Sequence, residues 1–139
     1  MNILITGATD GIGKHTAIQL HAQGHTIYGI SRHKANIGFM HHIAADVSSK
    51  VETRQAIEHV YAQAGHIDVL IACAGTSLAS PAEGTQSEDA RYLYDVNFWG
   101  CVNTVAGVAK QMKQNRAGQI ILLSSMTAVF PLPYLAFYS

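Results

Sequence analysis

The stretch TGATDGIG, residues 6–13, carries glycines at positions 7, 11 and 13. Three residues without a Cβ at that spacing can wrap main chain around a phosphate. Gly7 permits a tight turn, Gly11 lets the backbone approach a pyrophosphate, and Gly13 lets a following helix pack close with its N-terminus toward the anion. Turns are rich in glycine for other reasons, so the spacing gains its meaning from a strand before it and a helix after it. A metal is the other chemistry to weigh, because the chain has eight histidines. They are scattered, and the adjacent His41 and His42 on an expected strand point to opposite faces, so no metal site is expected.

The elements that a phosphate turn requires are legible around it. NILIT (2–6) is a short apolar run, and IGKHTAIQLHAQG places Ile12, Thr16 and Leu20 four apart before Gly24, the pattern of a buried strand, a turn and a helix closing on glycine. HTIYGISR (25–32) and MHHIAAD (40–46) read as a second and a third strand. A helix follows from Ser49, which stands at capping-box spacing from Glu52, through Val51, Ile57, Val60 and Ala64 to Gly65. IDVLIA (67–72) and QIILLSS (119–125) read as the fourth and fifth strands. Between them one long helical pattern covers about 85–116, with Thr85 and Glu88 at capping spacing and Lys110, Lys113 and Arg116 near its end. Gly100, Thr104, Val108 and Met112 repeat every four residues along it as a small-residue packing stripe. Strands without polar alternation, interleaved with helices, predict an α/β, doubly wound, Rossmann-like parallel sheet covered on both faces. Such a fold puts strands one and four side by side, with a ligand crevice at their carboxyl ends. The 139 residues, 48% of them hydrophobic, fit one domain spanning 1–139.

These residues resemble the short-chain dehydrogenases/reductases, whose cofactor turn is Thr-Gly-x-x-x-Gly-Ile-Gly, and the resemblance continues in register along the chain. Asp46-Val47 is similar to the family's adenine-contacting pair, and DVLIACAG (68–75) resembles its Asn-Asn-Ala-Gly segment. VNFWG (96–100) places the active-site asparagine at Asn97, and ILLSS (121–125) places the catalytic serine at Ser125. There are departures. Ala72 and Cys73 replace the two asparagines, removing their polar support, and Ala128 stands where many members have glycine. Taken singly, Asp46 also reads as a strand-ending turn residue, Asn97 as a helix residue bonded within the core, and Ser124-Ser125 as an ordinary strand end; their joint order carries the resemblance.

The resemblance implies an oxidoreductase moving hydride between a nicotinamide and a carbonyl or secondary alcohol. It makes Tyr138 the acid/base, has Ser125 hold the substrate oxygen and Asn97 steady a water relay; Ser125 and Tyr138 are 13 residues apart, as the family pattern requires. The implied cofactor residues are Gly7, Thr9, Gly11, Ile12, Gly13, Ser31, Arg32, Asp46, Val47, Ala74 and Gly75. NAD-preferring members end the second strand with an acid, whereas this chain has Ser31-Arg32-His33-Lys34 there. Arg32 suits a 2′-phosphate, so NADP(H) is favoured over NAD(H), with Asp10 in the glycine turn as the counterweight. The apolar segment MTAVFPLPYLAF (126–137) reads either as the wall of a pocket for a hydrophobic substrate or as core.

The family tyrosine belongs to Tyr-x-x-x-Lys, and the lysine would be residue 142. A tyrosine titrates near pH 10, and a lysine ammonium about 4 Å away at an effective dielectric of about 20 favours the tyrosinate by roughly 4 kcal/mol. A polypeptide of these 139 residues is therefore expected to have little or no dehydrogenase activity and to be a truncated, N-terminal portion of a longer enzyme, with QIILLSS left as an apolar sheet edge. The competing reading is a catalytically dead nucleotide-binding or interaction module ending at residue 139. The long helix is expected to join a homo-oligomer, a dimer or tetramer. Nine basic and nine acidic side chains cancel without clustering, so the expected partner is a small molecule, not nucleic acid or membrane. Cys73 and Cys101 in apolar stretches, and an N-terminus without a basic leader or long apolar run, give the expectation of free thiols and a cytoplasmic location.

Overall fold

The computed structural model describes residues 1–33, 35 and 37–139. Lys34, the last of the basic run after the second strand, lies outside the described residues. The strands are β1 (Asn2–Thr6), β2 (Thr26–Ser31), β3 (Met40–Ala44), β4 (Val69–Ala72) and β5 (Gln119–Leu122). The helices are α1 (Gly11–Ala22), α2 (Lys50–Ala64), α3 (Ser87–Tyr94) and α4 (Gly100–Asn115). All strand pairs are parallel and the sheet order is β3-β2-β1-β4-β5, so β1 and β4 are neighbours and the winding reverses between them.

The unbroken apolar strands follow from burial on both faces. Ile3, Ile5, Ile27, Val69 and Ile71 form one core with Ala17 of α1, while Leu4, Tyr28, Ile30 and Leu70 form the other with Ala56, Ile57 and Val60 of α2 and Val108 and Met112 of α4. The stripe Gly100, Thr104, Val108 and Met112 is the buried face of α4, as its spacing predicts. β5 pairs with β4 on one side, and all four of its residues are exposed.

Several local expectations are corrected. The buried positions of α1 are Gly13 and Ala17, and Ile12 is 62% exposed: the helix lies too close to the sheet for a large side chain to be its contact. Val51 is exposed, and α2 buries Thr53 with Ala56, Ile57 and Val60. Ser49 caps α2 by accepting from Glu52 N at 3.3 Å, but the Glu52 carboxylate accepts from Asp46 N at 2.9 Å, so it bonds the preceding loop and leaves the box with Ser49 half closed. The 85–116 pattern is not one regular helix. Thr85 instead closes a 3₁₀ turn at Ala82–Gly84, Gln86 precedes α3, and a π-helical turn at Asp95–Trp99 separates α3 from α4. The strands also stop early: β3 ends at Ala44 and β5 at Leu122, which leaves Asp46 and Ser125 on loops beyond the carboxyl edge.

Candidate active site

A two-lobed cleft opens at the carboxyl ends of β1 and β4. The lobes measure about 540 and 560 Å³ and meet at Cys73, Ala74, Gly75 and Leu123. All eleven cofactor residues assigned from the sequence border the first lobe, from Gly7 to Gly75. Asn97, Ser125 and Tyr138 border the second.

The first lobe is built on the glycine turn. Gly7 has φ +68°, its N–H donates to Ile30 O at 2.8 Å, and a Cβ there would stand 2.9 Å from Ala74 Cα. A Cβ on Gly13 would fall on the carbonyl oxygen of Gly7. The turn is thus clamped between the end of β4 and the start of α1, whose N-terminal N–H groups have no partner within the helix itself. Asp10 caps that helix by accepting from Gly11 N at 2.7 Å, which puts a carboxylate beside the anion-attracting end.

At the far end of this lobe, Arg32 Nη1 donates to Tyr92 Oη, and the guanidinium carbon lies 6.0 Å from the Tyr92 ring centroid. Ser31 Oγ lies 3.1 Å from His33 O, to which it can donate, and 2.7 Å from His42 Nε2. Asp46 Oδ1 accepts from the N–H and hydroxyl of Ser48 at 2.9 and 2.8 Å, turning the chain into Val47. Val47 is buried against α4, where a Cβ on Gly100 would stand 2.7 Å from Val47 Cγ2, and its carbonyl accepts from Asn103 Nδ2 at 3.1 Å. The stripe on α4 therefore sets the position of a cleft residue.

The second lobe draws on three segments. Asn97 sits in the π-helical turn, where its Oδ1 accepts from Thr76 N and its Nδ2 donates to Thr76 O, both at 2.8 Å. A widened turn of this kind is common at functional positions, and here the amide locks the helix to the loop after β4. Ser125 begins the short turn Met126–Ala128, and its Oγ accepts from Thr127 N at 3.2 Å and from Thr127 Oγ1 at 2.8 Å. Tyr138 lies in a turn closed by its N–H on Leu135 O at 2.9 Å, and Ser80 N donates to Tyr134 O at 2.8 Å, tying this segment to the loop after β4.

Ala72 and Cys73, which replace the family's asparagines, leave the support of this strand end to Thr6: its buried Oγ1 accepts from Ala74 N at 3.2 Å. Burial pushes the Cys73 thiol above its ordinary pKa, so it stays protonated at neutral pH. Sequence reasoning missed Tyr92, Val96, Leu123 and Thr127. Thr127 stands two residues beyond Ser125, the spacing of a hydroxyl-capped turn.

The profile described as short chain dehydrogenase matches residues 1–139. The chain belongs to that family. The short-chain dehydrogenase chain is 41% identical over 138 residues to a 3-ketodihydrosphingosine reductase of Bacteroides thetaiotaomicron, covering 99% of this chain and 51% of that protein. It superposes on the structure "ElxO with NADP Bound" with a TM-score of 0.92 at 25% identity, covering 99% of this chain and 60% of the other. The NAD⁺-bound xylitol dehydrogenase structure gives a TM-score of 0.93 at 26% identity, with 99% and 57% covered. The chain spans about half the length of the curated relatives that it matches. Among the described residues, no helix is long and apolar enough to cross a membrane, and no three metal-ligating side chains cluster.

Proposed function

We propose that this chain carries the cofactor cleft and three catalytic side chains of an NADP(H)-dependent carbonyl reductase, working on a hydrophobic ketone or, in reverse, a secondary alcohol. The observation that carries this reading is the junction at Cys73–Gly75, where a lobe bordered by the glycine turn opens directly onto one bordered by Asn97, Ser125 and Tyr138.

The residues present fit a dinucleotide. The surface at Gly7 and Gly13 leaves no room for side chains, the start of α1 offers main-chain donors to a pyrophosphate, and Val47 with Val96 gives an apolar border at the adenine end. Arg32 at the end of β2 suits a 2′-phosphate, where a carboxylate would repel it. When bound, the nicotinamide supplies or accepts the hydride. The protein's part is to hold the oxygen and move a proton. Ser125 donates a hydrogen bond to the substrate oxygen, Tyr138 gives that oxygen its proton during reduction, and Asn97, fixed by its double bond to Thr76, steadies the water chain that reloads the phenol. The compartment in this reading is the cytoplasm, and the active form is a homo-oligomer.

The ketone named in the 41% identical relative, 3-ketodihydrosphingosine, is the first substrate to test. The full-length protein, given that ketone and NADPH, is expected to consume NADPH at 340 nm, with turnover lowered at least about a hundredfold in Tyr138→Phe and with NADH a poorer donor. Absence of turnover with this and other hydrophobic ketones, or full turnover in Tyr138→Phe, refutes the reading.

A further inference from the structure

We propose that Thr127 is a positioning residue that fixes Ser125 as a hydrogen-bond donor toward the substrate oxygen. This rests on the reading of Ser125 given above and extends it to a side chain that does not border the cleft.

The buried polar residues among those described are Thr6, Thr53, Thr104 and Thr127. The first three use their hydroxyls on main chain: Thr6 accepts from Ala74 N, Thr53 donates to Val47 O and Thr104 donates to Gly100 O. Thr127 differs, because its hydroxyl meets the side chain of Ser125 at 2.8 Å. Its setting is also unusual. Met126, Val129 and Phe130 are 80%, 72% and 70% exposed, whereas Thr127 between them is 8% exposed. It stands behind the serine, since Ser125 and Ala128 border the second lobe and Thr127 does not.

A serine hydroxyl has one proton and two lone pairs. Ser125 Oγ accepts from Thr127 N at 3.2 Å and from the Thr127 hydroxyl at 2.8 Å, so both lone pairs are engaged from behind. Its single proton is left to point into the lobe, where a ketone oxygen needs a donor. The chain Thr127 O–H to Ser125 O–H to carbonyl oxygen runs in one direction, and each link polarises the next. A serine without this backing would divide its time between donating and accepting. The binding of the ketone would change little, but the oxygen would gain less support as negative charge develops on it, so the effect belongs in kcat.

The test uses the full-length protein with NADPH and a ketone that it reduces. Thr127→Val keeps the shape and the N–H but removes the hydroxyl. It is expected to lower kcat about tenfold, the size of one hydrogen bond, while KM and NADPH affinity stay within about twofold. Thr127→Ser should recover most of the loss. In a Ser125→Ala background, Thr127→Val should have no further effect, because the group that it acts through is gone. NADPH titration of each variant shows that the cleft is folded. If Ser125→Ala is crippled but Thr127→Val keeps a kcat within twofold of the parent, or if Thr127→Ser is as slow as Thr127→Val, or if the two losses add, the role of Thr127 is overturned while that of Ser125 stands. A fully active Ser125→Ala, or a parent protein that reduces no ketone, overturns both.

Discussion

In the proposed NADP(H)-dependent reading, cofactor choice turns on Arg32. Its guanidinium has five N–H donors, and Tyr92 takes one at Nη1 while its ring lies within cation–π reach, so the group is braced with most of its donors still unassigned. Charge-assisted bonds to a phosphate are worth about 1.5–3 kcal/mol. Arg32→Ala is therefore expected to weaken NADPH binding by about tenfold to a hundredfold while NADH binding changes by less than about twofold, as read by fluorescence titration. Equal losses for both cofactors would show that Arg32 does not meet the 2′-phosphate. The cysteines give a second prediction at this scale. Burial raises the thiol pKa of Cys73 and of Cys101, so the fold favours the neutral form. That contribution to stability is complete below the unfolded thiol value of about 8.5 and is lost as pH rises through the folded values. The melting temperature is expected to fall as pH rises above about 9, and less steeply in the Cys73→Ala/Cys101→Ala double variant; an identical slope in both proteins counts against the thiols.

At the scale of elements, the glycine turn and α1 form one packed unit with the end of β4. Gly13→Ala would drive a Cβ into Gly7 O, which is main chain and cannot rotate away. Overpacking of this kind costs about 1–3 kcal/mol and would shift the turn itself. The expected outcome is a lower urea midpoint together with loss of NADPH binding. Gly24→Ala, at φ +85° with open space around it and far from the cleft, should lower the midpoint with cofactor binding intact. Binding that survives in Gly13→Ala would show that the turn tolerates displacement. This unit was legible because each glycine answers a local demand in the sequence. Ile12 was misplaced for a related reason: the spacing of large apolar residues selects the wrong face when contact is made through Gly13 and Ala17. The π-helical turn at Asp95–Trp99 left no mark in the pattern, since the residues on both sides keep helical periodicity. Its cause is tertiary, the amide of Asn97 bonded at both ends to Thr76, 21 residues earlier. Thr85 failed as a cap because its hydroxyl donates to Pro81 O in the preceding turn.

At the scale of the whole molecule, the sheet order brings together residues that are far apart in sequence, from Gly7 to Tyr138, at the point where the winding reverses. The two lobes depend on the chain differently. The first lobe is bordered by residues between Gly7 and Leu123, braced by β1, β2, β4 and α4, and its glycine turn is closed by contacts within residues 1–75. In the proposed mechanism, proton transfer draws on a lysine four positions beyond Tyr138 in the family motif, whose ammonium would favour the tyrosinate by roughly 4 kcal/mol at about 4 Å. Binding and turnover should therefore separate. A polypeptide of residues 1–139 taken alone is expected to bind NADPH, seen as a blue shift and enhancement of nicotinamide fluorescence, yet to reduce ketone at least about a hundredfold more slowly than the same protein extended through the motif lysine. Calorimetric titration over the same concentrations distinguishes weak binding from slow chemistry. The four exposed residues of β5 make self-association of that polypeptide a competing cause of inactivity, so its rate has to be compared across protein concentrations. A low rate per chain that stays constant on dilution points to the missing ammonium. A low rate that recovers on dilution points to the open edge, and a rate matching the extended protein would show that Tyr138 works without its lysine.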